Sequence, residues 1–114
     1  MTIKIIIDRQ FKKAPSADDI RIFNDLRIRA MGHNGYISGE TLVDAEDNKK
    51  IVVLSVWSSM DNWETWRNSR ERANLETGLT PHLEVPSKIR VFMMGADSLQ
   101  KILKEVIHES ELAA

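Results

Sequence analysis

The stretch IVVLSVWSSMDNWETW, residues 51–66, decides how the rest of the chain reads. Ile51, Val52, Val53 and Leu54 are apolar without a break and lead into Ser55, Val56 and Trp57. A strand with one wet face alternates apolar and polar residues. This run does not. Its short length and β-branched content favour a central strand covered on both faces over a buried helical segment. Ser58, with Asp61 three positions on, has the form of a helix N-cap. The serine oxygen can accept from an orphan N–H, and the acid sits at the positive end of the helix dipole. Met60, Trp63, Trp66 and Ala73 mark one face of a helix to about residue 76. Arg67, Arg70, Glu71 and Arg72 suit its wet face, and Gly78 its stop.

Outward from this unit the pattern repeats. Ile3, Ile5 and Ile7 alternate with Lys4, Ile6 and Asp8, giving a strand over about residues 2–11. Ser16 with Asp19, just after Pro15, is a second capping pattern. It opens a helix to about residue 31, with Ile20, Phe23, Leu26 and Ala30 as its apolar stripe. Residues 36–44 form a second strand, and the acidic turn after it predicts a hairpin into the central strand. Residues 87–94 form a fourth strand, with Ile89, Val91 and Met93 on one face and Phe92 and Met94 on the other. Beyond it, Asp97 can cap a last helix whose stripe is Leu99, Ile102, Leu103, Val106 and Ile107.

Composition narrows the function classes. The chain has 114 residues, enough for one core. It is 42% hydrophobic and 29% charged, ordinary for a soluble globular domain. A net charge of −1 gives no general pull toward nucleic acid or anionic membrane. Cysteine is absent, which excludes disulfides, iron–sulfur clusters and thiolate zinc sites. The N-terminal apolar run is too short for a signal peptide, and no segment approaches the length of a membrane helix, so the cytoplasm is the default expectation.

The element order β-α-β-β-α-β, plus a C-terminal helix, is the α+β, ferredoxin-like split βαβ pattern. Two helices cover one face of four strands. The other face carries Ile6, Val53 or Leu54, and Phe92, too apolar for water. A homodimer with sheets packed face to face is therefore expected, with the helix at 96–114 reaching onto the dimer beyond a domain at 1–95.

The segments GYISGETLVDAED (residues 35–47), IVVLSVWSSMDNWETWRNS (51–69) and KIRVFMMG (88–95) together resemble the antibiotic biosynthesis monooxygenase family of dimeric α+β barrel proteins. The resemblance covers about residues 1–95. It implies one of two chemistries. One branch oxidises aromatic or quinol substrates with O₂ and neither metal nor flavin, the substrate becoming the electron-rich carbanion. The other degrades haem with a Trp, an Asn on the first strand and an iron-binding His. Trp66 matches that Trp, but Asp8 stands for the Asn and Glu76 for the His, and a carboxylate replaces a proximal imidazole poorly. A third reading is a dimeric binding or stress-related domain without catalysis.

The candidate site follows. Trp66 occupies the family's pocket position. Asp8 interrupts an apolar strand, so it is either a pocket acid able to take a phenolic proton or a carboxylate paired with Arg9, Lys50 or Arg90. His82, before the last strand, is the best candidate base among His33, His82 and His108, which lack metal spacing. Trp63, Arg27 and Glu76 are the expected substrate contacts, with Arg27 suited to an anionic oxygen. The expected ligand is a small aromatic molecule, with no cofactor and no metal.

Overall fold

The computed structural model describes residues 1–95, 99 and 102–106. Its strands are β1 (Ile3–Gln10), β2 (Tyr36–Val43), β3 (Lys50–Trp57) and β4 (Lys88–Met93). Its helices are α1 (Ala17–Met31), α2 (Met60–Arg67) and α3 (Arg70–Leu79), followed by a 3-10 turn at Thr80–His82. The sheet order is β2-β3-β1-β4 with every neighbouring pair antiparallel. This is the α+β ferredoxin-like arrangement, and the apolar run at residues 51–57 is an interior strand.

Alternation on β1 sets the two faces. Ile3, Ile5, Ile7 and Arg9 are buried, while Lys4, Ile6, Asp8 and Gln10 are only partly covered. Residues directly opposite in an antiparallel ladder share a face. Ile6 lies opposite Leu54 and Arg90, and Lys4 opposite Val56 and Phe92. The outer face is thus apolar at Ile6, Val52, Leu54, Val56 and Phe92, and no helix of the described residues covers it. The expectation that β3 is covered on both faces holds within this chain for the inner face alone.

The inner face carries the core. Ile3, Ile5, Ile7, Ala30, Trp57, Trp63 and Trp66 form one cluster, and Phe11, Ile51 and Leu79 a second. Trp57 meets Tyr36 edge to face at 5.4 Å and Trp63 at 6.0 Å between ring centroids. Such pairs add modestly to the area they bury.

Several local expectations are corrected. Ser59, not Ser58, caps α2, accepting from the Asn62 amide at 3.2 Å. Ser58 is held extended because its N–H donates to the Gly35 carbonyl at 2.8 Å. The long helix is two helices. Ser69 closes α2 by donating to the Trp66 carbonyl at 2.7 Å and opens α3 by accepting from the Arg72 amide. Gly78 does not stop the helix. It lies inside α3, where a Cβ would press on Ile22 of α1. The capping box of Ser16 and Asp19 is present, but it buries Asp19 and turns Ile20 outward, so Ile22 joins Phe23, Leu26 and Ala30 in packing. Met60 and Ala73 are exposed, whereas Arg72 is largely covered.

Residues 99 and 102–106 are helical, with Leu99, Ile102, Leu103 and Val106 exposed. The Asp97 cap, Ile107, His108 and the remainder of the 96–114 extension lie outside the described residues. No helix among the described residues is long and apolar enough to cross a membrane.

Candidate active site

A cavity of about 60 Å³ lies between the inner sheet face and the helices. Strand alternation delivers Ile7, Arg9, Val53 and Trp57 to it, and helical periodicity delivers Trp63 and Trp66 from α2 and Arg72 and Glu76 from α3. Phe23, Leu26, Arg27 and Ala30 of α1 close the other side, with Tyr36 at the start of β2. The exposed members of the wall are Arg27, Glu40 and Thr41, so the cavity opens there.

The charged part of the wall is one cluster. Arg9 donates through both terminal nitrogens to Glu76, at 2.8 and 2.6 Å, and Arg72 approaches the same carboxylate at 3.2 Å. Burial pushes the Glu76 carboxyl up, but the hydrogen bonds and charge of Arg9, then the charge of Arg72, pull harder and hold it below its usual value. Burial depresses the Arg72 guanidinium, with Arg9 and Arg67 adding to the effect and Glu76 opposing it. Arg72 also sits over the Trp63 ring, 5.7 Å from its centroid. Two buried donors, Arg9 Nε and Trp63 Nε1, have no acceptor among the described residues.

Four of the residues singled out in the sequence therefore come together: Trp63, Trp66, Arg27 and Glu76 all line this cavity. Two do not. Asp8 lies on the outer sheet face, 3.1 Å from Arg90 Nε, one of the pairings anticipated for it. His82 lies at the surface, with Nδ1 2.7 Å from Asp19 Oδ1. Burial raises the Asp19 carboxyl, but the Ser16 amide and His82 together hold it below its usual value. Arg9 and Arg72, which lie outside the sequence-based expectation for the site, dominate its charge. His33 supports Trp66 from behind, its ring 4.9 Å away edge-on and its Nε2 2.9 Å from Glu71.

The residues do not fit haem. Both oxygens of Glu76, at the expected ligand position, are held by Arg9, and the space beside it is far smaller than a porphyrin. Among the described residues no group of three or more His, Asp or Glu is placed to hold a metal ion.

Solved structures share this architecture. SnoaB, a cofactor-independent oxygenase from Streptomyces nogalater, superposes with a TM-score of 0.73 at 15% identity, over 82% of this chain and 93% of that one. A conserved protein from Methanosarcina mazei Go1 gives 0.77 at 14% identity, over 83% and 94%. Rv0793 from Mycobacterium tuberculosis gives 0.74 at 13%, over 83% and 96%. At these identities the likeness establishes the fold. No curated protein sequence matches the chain. A family model, antibiotic biosynthesis monooxygenase, does match, over residues 3–75. That span holds β1 to β3, both tryptophans of α2 and most of the cavity wall, and on it the chain belongs to the antibiotic biosynthesis monooxygenase family.

Proposed function

We propose that this protein is a cofactor-independent monooxygenase that oxidises a small aromatic or quinol substrate with O₂ in the cavity between sheet and helices. The observation that carries the reading is the aromatic wall: Trp57, Trp63, Trp66 and Tyr36 border one cavity in a chain of this family. SnoaB, of the same fold, is described as a cofactor-independent oxygenase. In such chemistry the substrate supplies the electrons. An activated methylene passes its proton to solvent at the cavity mouth, the carbanion reduces O₂ to a peroxide that takes a proton back, and loss of water from the hydroperoxide leaves a carbonyl. Here the residues would orient the ring against Trp63 and Trp66, exclude water, and favour the anion through Arg9, Arg27 and Arg72. Asp8 and His82 stand outside the cavity and take no part in this scheme.

The cavity volume limits the substrate. About 60 Å³ is less than the roughly 150 Å³ of an engineered cavity that holds benzene. A single ring therefore needs the wall to give way, and its least covered part on α1 is formed by half-buried Phe23 and Leu26 and exposed Arg27. The test is oxygen uptake with hydroquinones, dihydroxynaphthalenes and anthrones against autoxidation blanks. Uptake above the blank that falls in Trp66→Phe supports the reading, and uptake equal to the blank across the panel moves the weight to the second one.

That second reading is a ligand-binding domain without catalysis. It is favoured by the tight packing of Trp63 and Trp66, 1% and 4% exposed, within the core. Under either reading we propose a homodimer built on the outer sheet face, with the Asp8–Arg90 pair at its margin.

A further inference from the structure

The buried charge beside the cavity is unbalanced. Arg9 and Arg72 carry two positive charges and Glu76 one negative, and their side chains are 3%, 13% and 20% exposed. At the rim Arg27 is exposed, so solvent screens its charge, while Glu40 pairs opposite Leu54 and so belongs to the outer phase of β2. A net buried cation is costly unless something neutralises it. Arg9 and Trp63, both residues of this wall, each carry a buried donor, Nε and Nε1, without an acceptor among the described residues. An unmet buried donor carries its full desolvation cost. Both deficits would be met by one ligand with a single negative charge and two acceptor atoms.

We infer that this cavity binds an organic monocarboxylate, its carboxylate set among Arg9, Trp63 and Arg72 and its carbon part against the tryptophans. A carboxylate offers two oxygens, one for each orphan donor. It also arrives ionised at neutral pH, whereas a phenol must first lose its proton. Among the described residues the wall includes two acids, Glu76, committed to Arg9, and the exposed Glu40, which shares its phase with Leu54 on the outer face. The inference deepens the proposed function, resting on the reading of this cavity as the ligand site. It makes the acid group the handle that orients the substrate.

The test is a titration of the full chain, followed by tryptophan fluorescence, with benzoate, with acetate as a smaller acid, and with benzamide as the neutral isostere. Benzoate cannot undergo the proposed oxidation, so its binding reports on the acid site independently of any oxygenase activity. Saturable binding of at least one of the two acids is expected, with benzamide weaker than benzoate by about tenfold or more. Trp63→Phe keeps a ring and removes the donor, and it should weaken acid binding by about tenfold. Arg72→Gln leaves Arg9 and Glu76 as a neutral pair and should abolish the preference for benzoate over benzamide. Failure of both acids to saturate at millimolar concentration, equal binding of benzamide, or an unchanged preference in Arg72→Gln would each overturn the assignment. Oxygen uptake that benzoate does not inhibit would also count against it, while acid binding without uptake would leave it standing and move the weight from the oxygenase reading to the ligand-binding one.

Discussion

Arg9 of β1 and Glu76 of α3, 67 residues apart in sequence, form a two-pronged ion pair that ties the sheet to α3 beside the cavity. Arg9 is buried and Glu76 largely so. Removing one partner of such a pair strands the other's charge. Glu76→Gln leaves two guanidinium groups facing each other and should cost about 3 kcal/mol of stability. Arg9→Met together with Glu76→Met should cost clearly less than Glu76→Gln alone, because no charge is left behind. Urea denaturation of the two variants checks this, and an equal or greater loss in the double variant would show that the pair's charge is not what matters.

Acid should weaken the fold through two carboxyls. Those of Glu76 and Asp19 are held below their usual values in the folded state. As pH falls, the unfolded chain takes up these protons first. The stabilisation is therefore complete above the ordinary carboxylate range, about pH 4, and is lost as pH drops through the lowered folded values. The urea midpoint should fall over that window. In Glu76→Gln the fall should be shallower; an unchanged slope would assign the acid sensitivity elsewhere.

Trp66 must be probed gently. It is buried in the main core cluster, so Trp66→Ala should cost about 3–5 kcal/mol and confuse any activity loss with unfolding. Trp66→Phe retains an aromatic face and should stay folded while altering the cavity wall that the substrate ring meets. A drop in oxygen uptake of about tenfold or more, with little change in thermal midpoint, is the expected result. Uptake unchanged in Trp66→Phe would leave Trp66 a packing residue only.

Gly35 fixes the start of the hairpin. Its φ of +83° is a conformation that side chains resist, and a Cβ would collide with the Asn62 side chain. Its carbonyl also receives the Ser58 N–H at 2.8 Å, which sets where α2 begins. Gly35→Ala should therefore cost about 2 kcal/mol, more than the few tenths typical of a surface change. Thermal unfolding within a degree of the parent would contradict this account.

Much of the fold was legible because two periodicities carry it. Alternation from Ile3 to Ile7 gave the first strand and its faces, and the apolar run from Ile51 gave the interior strand. The same alternation, carried one step further, puts Arg9 inside and Asp8 outside. Asp8 is conspicuous as an acid in an apolar strand, but its phase assigns it to the outer face. Arg9 was the informative residue, an arginine in the inward phase between Ile7 and Phe11. The split between α2 and α3 was harder to see, since Ser69 lies in a run that reads as continuous helix and its two hydrogen bonds are needed to reveal the break. The nearness of His82 in sequence to the last strand points toward the cavity, but its contact with Asp19 depends on the tertiary approach of α1, which spacing does not encode.

The outer sheet face yields the last prediction. Ile6 and Leu54 are paired across β1 and β3, with Val52, Val56 and Phe92 around them. Phe92 is 44% exposed, and no described helix lies over this face. A patch of this kind is costly in water and suits a second copy, since a face that pairs with itself needs only a twofold axis. Sedimentation equilibrium should find a dimer. Leu54→Asp would place one carboxylate from each subunit in the buried interface, where like charges repel and desolvate at several kcal/mol. It should shift the protein to monomer without erasing the helix signal in circular dichroism, because the inner core of Trp57, Trp63 and Trp66 does not include Leu54. A parent protein that sediments as a stable monomer, or a Leu54→Asp variant that remains dimeric, would remove this face as the subunit interface and place the association, if any, elsewhere on the molecule.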